Sequence, residues 1–192
     1  MKAKQSFWLV LLLLSIGLAT ALLTFQKNPY NTASDSFRGR VLGFELFRIP
    51  SHSMQPTLMP GDYIYVSTTA YKDQSPKIND VVTFLYPRDR DINYIKRLIG
   101  GPGDRVAIKD FVVHVNGTAI DQSYVTDSLA KKSISRYMSE ITIPENTFFV
   151  LGDNRDNSND SRFFGVIKKA DIIGKATRVI FGKNHRMGTK IQ

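Results

Sequence analysis

From Ser6 to Phe25 the chain reads SFWLVLLLLSIGLATALLTF, 20 residues without one charged side chain. As an α-helix at about 1.5 Å per residue, such a run spans roughly 30 Å, the hydrocarbon thickness of a bilayer. A core helix of a soluble protein would keep a polar face, and this run has none. Leu9–Leu14 followed by Ala19-Thr20-Ala21 also fits the apolar core and cleavage site of a removable export signal. The apolar run continues through Leu22, Leu23 and Phe25, which favours a retained anchor. Lys2 and Lys4 lie immediately before the span, while Lys27, Arg38 and Arg40 follow it. The close spacing of the first two favours an amino terminus on the inside.

A chain of 192 residues carrying this anchor has room for one further domain. The division expected is an anchor over 1–25, a linker holding Asn, Pro, Ser, Thr, Asp and Gly over 26–40, and a β-rich domain over 41–192. Lys and Arg number 26 against 17 Asp and Glu, a net charge of +9. A basic domain beside a bilayer is drawn to anionic lipid. Cysteine is absent, which excludes disulfide scaffolds, thiol nucleophiles and thiolate metal sites. Only His52, His114 and His185 are available as imidazole ligands, so no metal site is expected.

Short β-branched and aromatic runs separated by turn residues follow the linker. They are Val41–Ile49, Tyr63–Thr68, Asp80–Leu85, Tyr94–Ile99, Arg105–Lys109, Phe111–Val115, Phe148–Leu151 and Ile172–Phe181. Asn116-Gly117 predicts a tight hairpin, because both residues tolerate positive φ. Asp127–Glu140 is the one stretch with helical spacing of its apolar residues. The fold class expected is all-β, mostly antiparallel, preceded by one transmembrane helix.

Serine chemistry needs a base that takes the hydroxyl proton. His52 adjoins Ser53, and neighbouring side chains in extended backbone point to opposite faces, so it is poorly placed. No G-x-S-x-G elbow is present. A lysine can serve if burial lowers its pKa from about 10.4 towards 7–8. Alternation allows Lys96 an apolar setting, since Tyr94 and Leu98 share its face of a strand while Arg97 points the other way; taken alone, a lysine in a strand is most often a solvated surface residue. Ser128-Leu129-Ala130-Lys131 matches the S-x-x-K of penicillin-binding proteins but lacks S-D-N and K-T-G. Asp156, Ser158 and Asp160 alternate like a calcium loop, yet Ser161 and Ile167 stand where Gly and Glu belong. Gly100-Gly101-Pro102-Gly103 has no G-K-[ST] ending and reads as a turn.

Three segments in order decide the reading: Pro50-Ser51-His52-Ser53-Met54-Gln55-Pro56-Thr57-Leu58; Tyr94-Ile95-Lys96-Arg97 through Gly103-Asp104; and Gly152-Asp153-Asn154-Arg155-Asp156-Asn157-Ser158-Asn159-Asp160-Ser161-Arg162. Together with the apolar amino terminus they resemble type I signal peptidases from Arg48 to Phe181. The resemblance implies Ser53 as nucleophile and Lys96 as general base. It implies Ser51 as an oxyanion donor beside the Ser53 N–H, Ser158 as the serine that orients the lysine, and Tyr94 as an aromatic packed against it. Asp153 with Arg97, and Asp160 with Arg162, are the implied structural ion pairs. Gly101 stands where many members have Leu, and His52 where many have Gly.

The implied activity is a serine endopeptidase that removes signal peptides after A-x-A-like sites, without metal or cofactor. The implied partners are preprotein signal peptides and the lipid bilayer, with secretion machinery nearby, no nucleic acid and a monomeric enzyme. The implied location is the bacterial cytoplasmic membrane, crossed once, with the catalytic domain outside the cytoplasm. A pilin-type or plasmid-transfer peptidase is the nearest alternative. A self-cleaving DNA-binding repressor would carry a helix-turn-helix where this chain has its apolar span.

Overall fold

A computed structural model describes residues 2–125, 136–182 and 186–191. The apolar run forms a single helix, α1, over Lys2–Lys27. Gln5–Lys27 is long and apolar enough to cross a membrane, and its most apolar stretch is buried by no other part of the protein. After a connector, a short π-helical turn over Arg38–Leu42 ends at Gly43, whose φ of 81° starts the first strand. The strand expected from Val41 therefore begins three residues later.

The strands are β1 (Phe44–Arg48), β2 (Tyr63–Ser67), β3 (Val81–Tyr86), β4 (Asp89–Gly100), β5 (Arg105–Lys109), β6 (Val112–Val115), β7 (Thr118–Ala119), β8 (Met138–Thr142), β9 (Thr147–Leu151), β10 (Ile167–Lys168) and β11 (Ile172–Phe181). Seven build one sheet in the order β1-β2-β11-β3-β4-β9-β10, and four build a second, β7-β6-β5-β8. Every pairing is antiparallel. The all-β expectation holds.

Two apolar clusters fill the large sheet. Met54 and Leu58 from the serine segment pack with Ile49, Ile64, Val66 and Val179. Phe84, Leu98, Phe148 and Val150 form the other. A third cluster joins the sheets: Ile99, Phe149 and Leu151 of the large one meet Val106, Ile108, Val113 and Val115 of the small one. Each such side chain contributes about 1.5–3 kcal/mol by leaving water.

The Asn116-Gly117 turn forms as expected, with φ of 54° and 81°, and joins β6 to β7. The expected strand start at Phe111 is instead a turn position, with φ of 70° following 46° at Asp110. The helix expected over 127–140 lies in part, at 127–135, outside the described residues, as does the S-x-x-K match. Its end is corrected: Met138, Ser139 and Glu140 lie in β8, where Met138 pairs with Ile108 and Ile141 with Val106. Pairing to β5 overrides the helical spacing.

The 26–40 segment makes specific contacts. The Thr32 hydroxyl donates to the Ile173 carbonyl at 2.6 Å, and the Ser34 hydroxyl to Glu45 at 2.5 Å.

Candidate active site

Three pieces of chain converge. The serine segment leaves β1 through Ile49, whose N–H donates to the Asp62 carbonyl, and is anchored by buried Met54 and Leu58. This holds Ser53 at the end of a loop whose far side is core. Lys96 sits in the middle of β4, opposite Val82 of β3. The third piece is the loop after β9, which starts at Gly152.

Lys96 Nζ lies 2.9 Å from Ser53 Oγ and also donates to the Ile95 carbonyl at 2.8 Å. Lys96 is only 4% exposed. Burial brings its pKa down from an ordinary 10.5 to about 8, against the opposing pull of the Asp160 and Asp153 carboxylates. A pKa in that range leaves a fraction of the amine neutral near physiological pH, which a lysine acting as a general base would require. Tyr94 lies beside it, its ring centre 5.1 Å from Nζ. Tyr94 is itself held by stacking on Tyr86, with ring centres 4.3 Å apart. Ser51 Oγ stands 3.2 Å from Ser53 Oγ.

The loop after β9 braces both partners. Asn154 N–H donates to the Ser53 carbonyl at 3.1 Å, and the Asn154 side chain donates to the His52 carbonyl at 3.2 Å. A Cβ at Gly152 would lie 2.5 Å from the Ser53 carbonyl oxygen and 2.2 Å from Ser158 Oγ, so only glycine permits this approach. Ser158 is buried there, and among the described residues its hydroxyl has no hydrogen-bond partner. Asp153 accepts from Arg97 Nε at 2.8 Å and from Nη2 at 2.7 Å, a bidentate pair with both side chains out of water. Asp160 accepts from Arg162 Nε at 2.8 Å and Nη2 at 2.9 Å, and from the Gly152 N–H at 3.0 Å. Both pairs expected from sequence are formed. Arg97 is the residue after Lys96, so its clamp on Asp153 fixes the register of the lysine strand against the loop.

Some contributors carried no assigned role in the sequence reading. The Thr57 hydroxyl donates to Asp153 at 2.5 Å. The Tyr124 ring covers the Arg97 guanidinium at 3.8 Å, and Gln122 accepts from Arg155. Thr57, Asn154 and Arg155 lie inside the quoted motifs, which could have flagged them; nothing in sequence flags Gln122 or Tyr124.

A cleft of about 280 Å³ opens beside the serine, walled by Pro50, Ser51, Tyr94, Ile95, Asn157 and Asn159 among others. Among the described residues its flanks are unpaired strand edges. β1 ends the large sheet, and β9 pairs with β4 only from Arg97 onward.

The family described as signal peptidase, peptidase S26, matches residues 6–181. The chain belongs to this family. A signal peptidase I of Pseudomonas aeruginosa is 36% identical over 181 residues, covering 70% of this chain and 64% of its own length. This chain therefore spans less than two thirds of that relative. A signal peptidase I of Bacillus caldolyticus is 35% identical over 145 residues, covering 71% of this chain and 79% of its own. A solved signal peptidase I from Enterococcus faecalis is 33% identical with a TM-score of 0.43, covering 53% of this chain and 97% of that one.

Proposed function

We propose that this signal peptidase family member is a membrane-anchored endopeptidase that cuts signal peptides from exported preproteins with Ser53 as nucleophile and neutral Lys96 as base. The observation that carries the reading is the buried Lys96 amine 2.9 Å from Ser53 Oγ. As Oγ bonds to the scissile carbonyl carbon, its proton passes to the Lys96 amine. The carbonyl π pair moves to oxygen, where the Ser53 N–H and Ser51 Oγ–H would stabilise the new charge. Collapse of the tetrahedral species breaks the C–N bond, and the lysine ammonium returns its proton to the departing amine. Water then hydrolyses the acyl-enzyme by the same route. Tyr94, and Ser158 if its hydroxyl turns to the amine, would hold the lysine in one rotamer.

The open edges of β1 and β4 suit an extended peptide, which adds as a strand and sends alternate side chains into the cleft walls. The modest volume favours small residues at the first and third positions before the cut, hence A-x-A sites. α1 would span the cytoplasmic membrane, leave the catalytic domain outside, and place enzyme and substrate in one bilayer. The test is cleavage of an A-x-A preprotein by the detergent-solubilised chain, with Ser53→Ala and Lys96→Arg as controls. Both variants should lose at least about 10³-fold in kcat, since arginine stays charged in a protein. Near-normal turnover by Lys96→Arg would exclude the lysine base.

A further inference from the structure

A cavity of about 470 Å³ is distinct from the cleft beside Ser53. It lies next to it and shares Asn93 as a wall. Its other walls are Ser34 and Asp35 of the connector, Glu45 and Phe47 of β1, and Asp91 of β4. Both strands run from this cavity towards the dyad: Phe47 precedes Pro50 and Ser51 on one side, and Asp91 and Asn93 precede Lys96 on the other. The two hollows thus meet at Asn93 and together mark out a trench along the edges of β1 and β4.

We propose that this second hollow is a substrate subsite for a residue upstream of the scissile bond, that the connector after the membrane helix forms one wall of it, and that it selects a basic side chain over an acidic one. The inference rests on the signal-peptide reading above and adds a position to its specificity. The direction follows from attachment. The apolar part of an exported precursor lies in the bilayer, upstream of the cut, and the connector reaches the cavity only a few residues after α1 ends at Lys27. The membrane-proximal end of the trench thus receives upstream residues. At about 3.3 Å per extended residue, the separation from Phe47 to Ser51 corresponds to the fourth to sixth substrate residue before the cut.

The chemistry follows from the charges on the wall. Arg90 is engaged by Asp171 at 2.6 Å. Glu45 accepts hydroxyl protons from Ser34 and Ser36 and lies 3.7 Å from Arg38. Asp35 and Asp91 are exposed and form no ion pair among the described residues, which leaves the mouth negative. Phe47, Leu85 and Ile173 line the hollow as well, and they suit the methylene stem of lysine or arginine.

The test uses the full chain in detergent and a set of peptides with A-x-A before the cut. Lys, Gln, Ala or Glu is placed in turn at the fourth, fifth and sixth positions. At one of them Lys should be cut about 5- to 20-fold faster than Glu in kcat/KM, through KM rather than kcat. The Asp35→Asn, Asp91→Asn double variant should bring that ratio below about twofold while cleaving the Ala peptide at the wild-type rate. Normal cleavage of the Ala peptide with no charge preference at any position overturns the subsite and leaves the peptidase reading intact. A preference that survives in the double variant overturns the role of the two aspartates and with it the proposal. Failure to cleave every peptide would overturn the peptidase reading and the subsite together.

Discussion

The two sheets treat charge in opposite ways. In the small sheet, valine and isoleucine point inward from β5 and β6 while charged residues stay in water. Its ion pairs, Arg105–Glu140 and Arg136–Asp110, are exposed on both partners. In the large sheet and the segment that follows β9, the side chains of Lys96, Arg97, Asp153, Asp160 and Arg162 are all withdrawn from solvent. Taking a charge out of water costs several kcal/mol unless geometry and hydrogen bonds offset it. Arg97 and Arg162 meet that cost with bidentate carboxylates; Lys96 meets it by giving up its proton more readily. The half of the domain built on the large sheet thus buries charge beside Ser53 and also at Glu45, Asp62, Asp80 and Asp171, whereas the small sheet is built as an ordinary half-buried surface.

The contrast breaks most visibly at the buried pair. Asp153→Asn leaves Arg97 charged and unmatched in the core, and urea denaturation should show a loss of roughly 3–5 kcal/mol. Next comes Lys96 itself. Its folded pKa of about 8 lies below its ordinary 10.5, so between those values the unfolded chain binds more protons and stability rises with pH. Below about pH 8 the full cost of burying the ammonium is present. Lys96→Met should therefore stabilise the chain by roughly 3 kcal/mol at pH 7, with the gain fading towards pH 10.5. A gain that does not vary with pH would locate its origin in packing instead. Wild-type kcat/KM should rise with pH through about 8 as the neutral amine populates. The smallest effect belongs to the small sheet: Arg136→Ala should change stability by less than about 1 kcal/mol, the range of exposed pairs.

The strands that could be read from sequence are those whose own residues favour extension. β5 was read with its observed limits, because Arg and Lys bracket an apolar centre. The first half of β4 was hidden, because Asp89, Arg90 and Asp91 look like a polar loop; pairing with Leu85 and Tyr86 of β3 extends the strand through them. β7 and β10 are two residues each and carry no periodic signal. At the site, the motifs and their order name Ser53, Lys96 and the two carboxylate–arginine pairs, and the fold brings the members of each together. The Tyr124 stack on Arg97 had no such signal, since it joins segments whose approach only the tertiary fold defines. The connector reads as a linker from its polar composition. Its Thr32 and Ser34 are polar because they hydrogen-bond into the domain, a use that composition does not distinguish from solvation.

The bond from the Asn154 side chain to the His52 carbonyl bridges 102 positions, whereas serine and lysine meet across 43. Contacts this distant close late in folding, because a long loop must be ordered first. A chain emerging amino terminus first carries Ser53 and Lys96 well before the segment that braces the serine carbonyl has appeared. The same segment supplies the carboxylate that neutralises Arg97, so an incomplete chain also lacks the clamp on its lysine strand. The braces on Ser53 and on the lysine strand therefore exist only in a polypeptide that extends through Arg162.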